Sequence, residues 1–488
     1  MDPNRITALA AAKASQLDSA RPDATERVHL TGKLTARERL AALLDPGSAV
    51  EYGSIAAVDH DGGWVPEAGG VDFVGTIDGR PVIASSTDYT DKGGGYGAAR
   101  LERLFALAQQ RRWPLVLFVD GGGSRARHPR TGRGDLELNG AFGPYQLFDG
   151  MAELSGWVPT VAIVSGPSFA GHASLAGFSD CVIGTFGSSV GMGGPPMVEA
   201  ALGMRLGHNE LAGVEMHELT GGIDLLVPDE PTAITAARRY LSYLPSAIPT
   251  GVGPTPATAP VEPPRAAAIA ELVADAGPYD IEPVLEALVD AGTLFELRPA
   301  FARAVLTAFA RIGGHSVGVL ASRPAEHGGR IDESAAVKVA RFVELCDAYE
   351  LPIVSLVDSE GCVTTWPGED GATVTEPGTN RWHSRPIIAH QHRSVPLFRI
   401  QPAAPATHRV SSSPPAERRH RTGVRRHLAD RRARPHRRLR RRAQRQRPRR
   451  RDRSGRDPGA AAPAAGPPHG RTAAATIVQE ATGRHLVI

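Results

Sequence analysis

Two segments of the chain repeat one pattern of residues at a nearly constant distance along the sequence. Residues 111–125, "RRWPLVLFVDGGGSR", leave a helical stretch, pass through an apolar run and stop at Asp and glycines. Residues 349–363, "YELPIVSLVDSEGCV", do the same. The pairs aligned by a shift of 238 positions are Pro114 and Pro352, Asp120 and Asp358, and Gly123 and Gly361. We therefore expect two similar folding units.

The similarity continues upstream of both segments. Residues 77–86, "IDGRPVIASS", resemble residues 312–323, "IGGHSVGVLASR", and a shift of 235 aligns Gly94 with Gly329. Each unit is predicted to contain a two-stranded hairpin, a Gly-rich loop, a helix, a buried strand and a glycine turn. Any two strand–helix units share some residues by chance, but agreement at a nearly fixed spacing favours an internal duplication.

Apolar runs next to these turns predict the fold class. "PLVLFV", "TVAIVSG" and "PIVSLV" are apolar almost throughout and do not alternate with charged residues. Such runs are typical of strands that are buried on both faces, with helices packed between them. The sequence therefore predicts an α/β fold with a duplicated domain.

Composition divides the chain into four regions. A stretch rich in Pro, Ala and Thr at 244–265 predicts an extended linker between an N-terminal domain, 1–243, and a C-terminal domain, 266–401. Residues 402–488 contain 23 Arg, no Lys, five acidic residues and no aromatic residue, a net charge of +18, whereas residues 1–401 carry −15. A region of this composition cannot bury a core, so we expect 402–488 to be disordered.

The Arg-rich region begins before the second unit has reached the length of the first. Arg without Lys, abundant Pro and Ala, and the absence of aromatics indicate a frame-shifted reading of a GC-rich gene from about residue 402, which truncates the second domain. The alternative is a genuine basic arm for nucleic acid or another polyanion. No recognition motif accompanies this arm, and the acidic body competes for it, so we expect only nonspecific binding.

Translation of the other two reading frames of the gene tests the frame-shift hypothesis. We expect one frame to encode an acidic continuation with aromatic residues after residue 401, because a sheet that stops there leaves strand edges uncovered. If neither frame encodes it, the hypothesis is wrong. A salt-dependent shift of DNA that disappears when 402–488 are deleted would then measure polyanion binding by the tail.

Composition also excludes several classes of protein. No apolar run approaches the ~18 residues of a membrane-spanning helix. The N-terminus has early charges and lacks the apolar stretch of a secretory signal. Three scattered cysteines, Cys181, Cys346 and Cys362, form neither a disulfide framework nor a Cys-rich metal site. We therefore expect a cytoplasmic protein without a metal site.

Three turns that follow buried strands are candidate binding sites, at residues 119–125, 164–180 and 357–362. The small residues from Ala170 to Ala173 are predicted to begin a helix, whose first N–H groups lack an acceptor within the helix. Such a helix start suits an oxyanion or a thioester oxygen, although a tight turn without a ligand would look the same.

No reactive side chain stands out near these turns. The sequence lacks the HExxH, GxSxG and P-loop motifs. His172 could act as a base, but a packing role is more common for a lone histidine. Asp120 and Asp358 are expected to cap turns, and Cys362 to be a small buried side chain. The pattern indicates a site whose backbone amides bind an oxyanion while another molecule supplies the reactive group.

Four segments, in order along the chain, resemble one known family. They are "GKLTARERLAALLDPGS" from Gly32, "GGPPMVEAALG" from Gly193, "YDIEPVLEALVDAGTLFELRP" from Tyr279 and "DESAAVKVARFVELCDAYELPIVSLVD" from Asp332. These segments are similar to the carboxyltransferase (β) subunits of biotin-dependent acyl-CoA carboxylases, the family that includes the propionyl-CoA, methylcrotonyl-CoA and acetyl-CoA carboxylases. The resemblance spans residues 25–360.

The resemblance implies two tandem crotonase-like domains that transfer a carboxyl group from carboxybiotin to the α carbon of an acyl-CoA. Backbone amides of residues 170–172 (Ala-Gly-His) would stabilise the enolate oxygen, and a turn of the second domain, represented here by Gly361, the biotin urea oxygen. Gly122, Gly123 and Gly171 are implied to bind the CoA thioester. Biotin carboxylase and the biotin carrier are implied to be separate chains, and the active sites to lie between subunits of a homo-oligomer.

This chain departs from the family pattern in both halves. The family commonly has Gly-Gly where this chain has Gly171 and His172, so a side chain at 172 is expected to narrow the pocket. Gly121 replaces the Ser of a Ser-Gly-Gly turn. The turn Arg-x-x-Tyr-Gly-x-Gly of the second domain has no counterpart, so we expect impaired activity. A decarboxylase or hydratase of CoA thioesters is the alternative, which usually needs a carboxylate base near the oxyanion turn.

Overall fold

The computed structural model describes residues 3–58, 63–66, 69–95, 98–122, 147–248, 269, 271–273, 278–363, 365–367, 373–375 and 397–399. All of them belong to one of the two compact units of the chain, and the other unit, Ala403–Thr476, lies outside the described residues. The boundaries predicted for the linker and the tail, the truncation of the second domain and the disorder of the tail therefore stay predictions.

The described part of the chain contains both helices and strands. The helices are α1 (Pro3–Ala14), α2 (Pro22–His29), α3 (Ala36–Leu43), α4 (Ala98–Arg111), α5 (Leu147–Leu154), α6 (Gly171–Phe178), α7 (Pro195–Leu202), α8 (His208–Ala212), α9 (Val214–Thr220), α10 (Glu230–Tyr243), α11 (Glu282–Leu288) and α12 (Glu333–Ala348). The strands are β1 (Val50–Glu51), β2 (Ile55–Val58), β3 (Trp64–Pro66), β4 (Gly70–Ile77), β5 (Arg80–Thr87), β6 (Leu115–Gly121), β7 (Thr160–Phe169), β8 (Cys181–Thr185), β9 (Ser189–Gly191), β10 (Leu225–Val227), β11 (Phe295–Leu297), β12 (Val305–Ile312), β13 (His315–Ser322), β14 (Ile353–Val357), β15 (Thr365–Pro367), β16 (Thr373–Thr375) and β17 (Leu397–Arg399). Within this part of the chain, no helix has the length and hydropathy that crossing a membrane requires.

The first half is built on an eight-stranded sheet. Its order is β1-β4-β5-β6-β7-β8-β10, and β9 pairs with the end of β7. The strands from β1 to β5 pair antiparallel, and those from β5 to β10 pair parallel. Every residue of β6 is buried: Leu115 and Leu117 pack with α4 and α5, and Val116 and Phe118 with α3 and α10. Burial on both faces is what the apolar runs predict, and the predicted α/β class is confirmed.

The second half repeats this arrangement in a five-stranded sheet of order β11-β12-β13-β14-β17. Its first three strands pair antiparallel, and β13, β14 and β17 pair parallel. Helix α12 lies against the first half: Phe342 and Tyr349 enter the core that also contains Phe118. The hydroxyl of Tyr349 donates to the Asp180 carboxylate at 2.6 Å, so a buried hydrogen bond joins the halves as well.

Close backbone contacts confirm the duplication at the level of atoms. Gly94 and Gly329 both have positive φ, 71° and 64°. A Cβ atom at Gly94 would lie 2.3 Å from the Asp120 carbonyl oxygen, and one at Gly329 would lie 2.7 Å from the Asp358 carbonyl oxygen. In each half, the Gly-rich loop therefore approaches the end of the buried strand so closely that only glycine fits.

The duplication extends further upstream than the sequence comparison indicates. The Asp45 carboxylate accepts the N–H groups of the hairpin turn 78–79, and the Asp290 carboxylate accepts those of the equivalent turn 313–314. A hydroxyl three residues after each Asp donates to that residue's carbonyl oxygen. Each half thus uses one carboxylate to join the end of the helix before its hairpin, α3 or α11, to the β-hairpin.

Replacement of Asp45 by Ala should destabilise the fold by about 2–3 kcal/mol, because the turn N–H groups and the Thr76 hydroxyl lose their acceptor. Burial raises the pKa of Asp45, but hydrogen bonds from Gly79, Thr76, Arg238 and Asp78 outweigh it and hold the pKa well below its ordinary value. The contribution of Asp45 is therefore complete above pH ~4 and shrinks as the pH falls further. Urea unfolding at several pH values measures it.

The matched control is Asp78→Asn, because the Asp78 side chain is exposed and pairs with Arg238 at the surface, and because Asn tolerates the positive φ of this residue as Asp does. This change should cost less than about 0.5 kcal/mol. Equal losses in the two variants, or a loss in Asp45→Ala that does not depend on pH, would contradict the role assigned to the Asp45 carboxylate.

Candidate active site

Strand β7 ends in a strained residue that leads directly into α6. Ala170 has φ 53° and ψ −116°, in the positive-φ region that favours glycine. Its N–H donates to the carbonyl oxygen of Gly191 at 3.1 Å, so β9 holds the strained residue in place. Such conformations cost about 1–3 kcal/mol and are concentrated at functional turns. The predicted helix start after this turn is confirmed, because α6 begins at Gly171.

The start of α6 lies beside the end of β6. Gly121 pairs with Ser168 in the parallel register of β6 and β7, and the Ser168 hydroxyl donates to the Val119 carbonyl at 2.6 Å. The carboxyl ends of neighbouring parallel strands lie at the same edge of a sheet. The structure therefore brings two of the predicted turns together, residues 121–122 and 170–172. The first turn of α6 adds the positive end of the helix dipole to this edge.

His172 lies inside this junction and not at an open surface. Its side chain is 0% exposed, and a Cβ atom at Gly121 would lie 2.7 Å from its Cε1 atom. Burial lowers the pKa of His172 to about 4; Asp120 opposes this shift and Arg100 adds to it. The ring packs against the β6 turn and is neutral near pH 7, and the narrowing of the pocket by this side chain stays a prediction.

The N–H groups of two other predicted site glycines already have acceptors within the protein. The N–H of Gly122 donates to the Gly93 carbonyl at 3.1 Å, and the N–H of Gly361 donates to the Ser359 hydroxyl at 3.0 Å. Gly361 belongs to the equivalent turn of the second half. Gly123 lies outside the described residues. The binding roles of these three glycines stay predictions.

A buried cluster of charges, which the sequence interpretation missed, lies under the first turn. The Asp120 carboxylate is 1% exposed and lies 3.2 Å from both Lys33 Nζ and Arg39 Nη2. Arg39 also reaches the carboxylate of Glu230, at 2.6 Å. Asp120 was expected to cap a turn; its carboxylate forms these ion pairs instead, because two cations converge on it. The backbone N–H of Asp120 donates to the Thr87 hydroxyl, which fixes the end of β6.

The charges of this cluster cancel. Burial lowers the pKa of Arg39, but Glu230 and Asp120 outweigh this effect and raise it, so the guanidinium is charged. With Lys33, two cations face two carboxylates, and the carboxylate next to the oxyanion turn is neutralised. Lys33 and Arg39 belong to the motif "GKLTARERL", but Arg39 meets Asp120 across 81 positions of sequence. Motif spacing alone does not identify such a partner.

The equivalent turn of the second half has different surroundings. The shift of 245 positions that aligns Asp45 with Asp290 also aligns Arg39 with Val284. An apolar valine cannot pair with the carboxylate of Asp358. Burial and the nearby Asp358 carboxylate raise the pKa of Tyr279 above its ordinary value. Cys362 is exposed, so the expectation that it is buried is wrong. The two halves share a backbone, but their turns offer different chemistry.

Fold and site together define a class: a duplicated α/β protein with a strained turn and a helix N-terminus at one edge of its parallel sheet, an arrangement that suits an anionic oxygen. Across the part of the chain that the structure describes, no group of three or more His, Cys, Asp or Glu side chains could hold a metal ion.

Sequence comparison identifies the family. Residues 27–370 match the family model of the carboxyl transferase domain. The chain is 31% identical over 387 residues to the methylmalonyl-CoA carboxyltransferase 12S subunit of Propionibacterium freudenreichii subsp. shermanii, covering 77% of this chain and 71% of that protein. It is also 31% identical over 403 residues to the propionyl-CoA carboxylase beta chain of Saccharopolyspora erythraea, covering 77% and 70%. The chain belongs to the carboxyl transferase domain family.

Solved structures agree with this assignment. The chain is similar to the transcarboxylase 12S crystal structure with bound methylmalonyl-CoA and methylmalonic acid, with a TM-score of 0.63, 32% identity and coverage of 72% of this chain and 68% of that one. A single-chain, multi-domain long-chain acyl-CoA carboxylase matches with a TM-score of 0.65 and 32% identity, over 76% of this chain and 38% of that one. The chain is therefore a biotin-dependent acyl-CoA carboxyltransferase subunit, an enzyme that transfers carboxyl groups between biotin and acyl-CoA.

Replacement of Arg39 by Met should destabilise the first half by about 3–5 kcal/mol, because Asp120 and Glu230 would lose the cation that they share while they stay buried. The matched control on the same helix is Arg37→Met, which removes a partly exposed pair with Glu51 and should cost about 0–1 kcal/mol. Chemical unfolding of both variants measures the difference. Equal losses would show that the Arg39 cluster does not hold the turn.

Proposed function

We propose that this chain carboxylates a short acyl-CoA with its thioester oxygen at the N-terminus of α6, within two tandem crotonase-like domains. The observation that carries the proposal is that three features lie together at one edge of the sheet. They are the strained residue Ala170, Gly171 at the first position of α6, and the turn at the end of β6. Methylmalonyl-CoA and propionyl-CoA occur in the names of two relatives described above, so they are the first substrates to test.

Carboxylation at the α carbon depends chiefly on stabilisation of the thioester oxygen and less on a reactive side chain of the protein. When the α carbon of a thioester loses its proton, negative charge collects on the thioester oxygen. The N–H of Gly171 and the dipole of α6 are oriented to stabilise that charge, an effect worth about 10²–10³ in rate for one donor. Asp120 lies nearby, but Lys33 and Arg39 neutralise it, so it does not repel the oxygen.

Carboxybiotin on a separate carrier chain would supply the carboxyl group: the bond from its urea nitrogen to the carboxyl carbon would break, that carbon would bond to the α carbon, and the urea nitrogen would take up the α proton. The predicted place for the biotin urea is the second-half turn that contains Gly361. Two features argue for reduced activity of this chain as it stands: the Gly361 N–H bonds to Ser359, and the family turn Arg-x-x-Tyr-Gly-x-Gly is missing from the sequence. The first half would then bind the acyl-CoA while carboxyl transfer is slow.

An exposed apolar surface supports assembly into a homo-oligomer. The large apolar side chains that are at least half exposed between β8 and β10 are Phe186, Met192, Met197, Leu202, Met204 and Leu219. The Met192 sulfur lies 3.6 Å from the Ser174 hydroxyl of α6, so this surface borders the candidate site. Contiguous exposed apolar side chains usually mark an interface. The transcarboxylase 12S structure is described as a hexamer assembly, and we propose that a second copy covers this surface here.

Decarboxylation of a CoA thioester is the second candidate. The chain is 29% identical over 394 residues to the methylmalonyl-CoA decarboxylase alpha subunit of Veillonella parvula. Loss of a carboxyl group produces the same enolate as loss of the α proton, so the same amides would serve. Consumption of methylmalonyl-CoA that needs no biotinylated carrier would favour this candidate over carboxyl transfer.

The test is transfer of labelled bicarbonate into acyl-CoA, with biotin carboxylase, biotinylated carrier and ATP. We expect product from the chain or, at a higher rate, from a version whose reading frame is restored after residue 401. Gly171→Pro should lower the rate at least about 100-fold, since it removes the N–H at a helix position that tolerates proline. Gly171→Ala keeps the N–H and is the matched control.

Three results would contradict the proposal. One is no product from the frame-restored version with any short acyl-CoA; a second is a Gly171→Pro enzyme as active as Gly171→Ala while both unfold at the wild-type temperature. A third concerns assembly: native mass spectrometry of the same preparation should show an oligomer, and a monomer at micromolar concentration would refute the interface.

A further inference from the structure

Three segments of the first half meet at Gly121. A Cβ atom on Gly121 would lie 2.7 Å from Cε1 and 2.9 Å from Nε2 of the His172 ring, and 3.0 Å from the Gly93 carbonyl oxygen. Real Cβ atoms essentially never approach other heavy atoms to 2.7 Å. The end of β6 is therefore packed closely against both the Gly-rich loop before α4 and the imidazole in the first turn of α6.

This junction has little room to adjust. A Cβ atom on Gly94 would lie 2.3 Å from the Asp120 carbonyl oxygen, and the Gly122 N–H donates to the Gly93 carbonyl. The backbone of the Gly-rich loop thus contacts the turn closely, and the His172 ring contacts the same turn at Gly121. A side chain at position 121 could enter only if the ring, and with it the start of α6, moved away.

We propose that His172 is a positioning residue for the thioester site, and that Gly121 and His172 act as one coupled pair. The ring sets the separation between the β6 turn and the helix N-terminus, and it thereby places the backbone amides at the distance that a thioester oxygen requires. The proposal rests on the proposed function, because it assigns the Gly171 amide to that oxygen. It assigns no proton transfer to the ring.

The surroundings of the ring agree with a steric role. Burial, the largest influence, lowers the pKa of His172 to about 4, so the imidazole is neutral near pH 7 and its contribution there is shape. Asp120 favours the charged ring, but it is paired with Lys33 and Arg39, and the effect of burial is larger.

The test compares two ligands that differ by one carbonyl group. Propionyl-CoA has the thioester oxygen, whereas S-propyl-CoA, a thioether, lacks it and keeps the rest of the ligand. Calorimetric titration should show that the full chain binds propionyl-CoA about tenfold more tightly than S-propyl-CoA, the value of one well-placed hydrogen bond. This preference reports on amide position, and general loss of stability does not change it selectively.

Three variants then measure the coupling. Gly121→Ala should abolish the thioester preference, so that the two ligands bind about equally well, because its methyl group displaces the ring. His172→Gly should reduce the preference only partly, because the start of α6 is no longer supported. In the double variant, the methyl group at position 121 occupies part of the space that the ring leaves and supports the start of α6 again, so the preference should recover to within about threefold of wild type. Gly318→Ala is the matched control: its Cβ would lie 2.6 Å from the Cys346 sulfur, in the second half, so it should lower the unfolding temperature without changing the preference.

Each outcome bears on a different claim. A wild-type chain without any thioester preference overturns the proposed function, and the positioning role with it. A normal wild-type preference that Gly121→Ala leaves unchanged, or that the double variant fails to recover, overturns the positioning role alone. If Gly121→Ala does not fold, His172→Asn replaces it: a smaller polar side chain at 172 should lower the preference several-fold, and an unchanged preference would refute the proposal.

Discussion

The Arg39 guanidinium is the group through which the separate parts of the first half are held together. It pairs with Asp120 at the end of β6 and with Glu230 at the start of α10, and it is itself part of α3. A buried cation between two carboxylates is tolerable only when every partner is present, because any group left alone would be charged and desolvated. The three elements therefore depend on one another. Since Gly121 follows Asp120 directly, the position of the turn at the end of β6 depends on the same cluster.

The duplicated halves have similar backbone folds, but the charged side chains around their turns differ. In both halves, a carboxylate after α3 or α11 accepts hydrogen bonds from the hairpin turn. In both, a positive-φ glycine, Gly94 or Gly329, lets a loop contact the end of the buried strand, β6 or β14. Below the turn, the first half has Arg39 where the second has Val284. A backbone of this kind supports two different sites, because strand ends place the turns while side chains beneath them set the local charge.

Much of this architecture could be predicted from patterns of local residues. The apolar runs identify β6 and β14, the constant shift identifies the duplication, and the small residues after Ala170 predict the start of α6. The position of His172 could not be obtained in this way. A lone histidine after a glycine looks the same whether its ring faces a pocket or the Cα of Gly121. Only the parallel pairing of β6 with β7, which brings the two residues together, decides it.

The sequence by itself determined the family, the α/β class, the two similar units and the helix start at residues 170–172, because each of these depends on local spacing and on motifs that stay together along the chain. Only the tertiary structure decided which charges pair and which way side chains face. Asp120 pairs with Arg39, which is 81 positions away in the sequence. The His172 ring, at the start of α6, lies against Gly121 at the end of β6. Such contacts follow from strand order and register, which bring distant segments into contact at distances that local sequence does not specify.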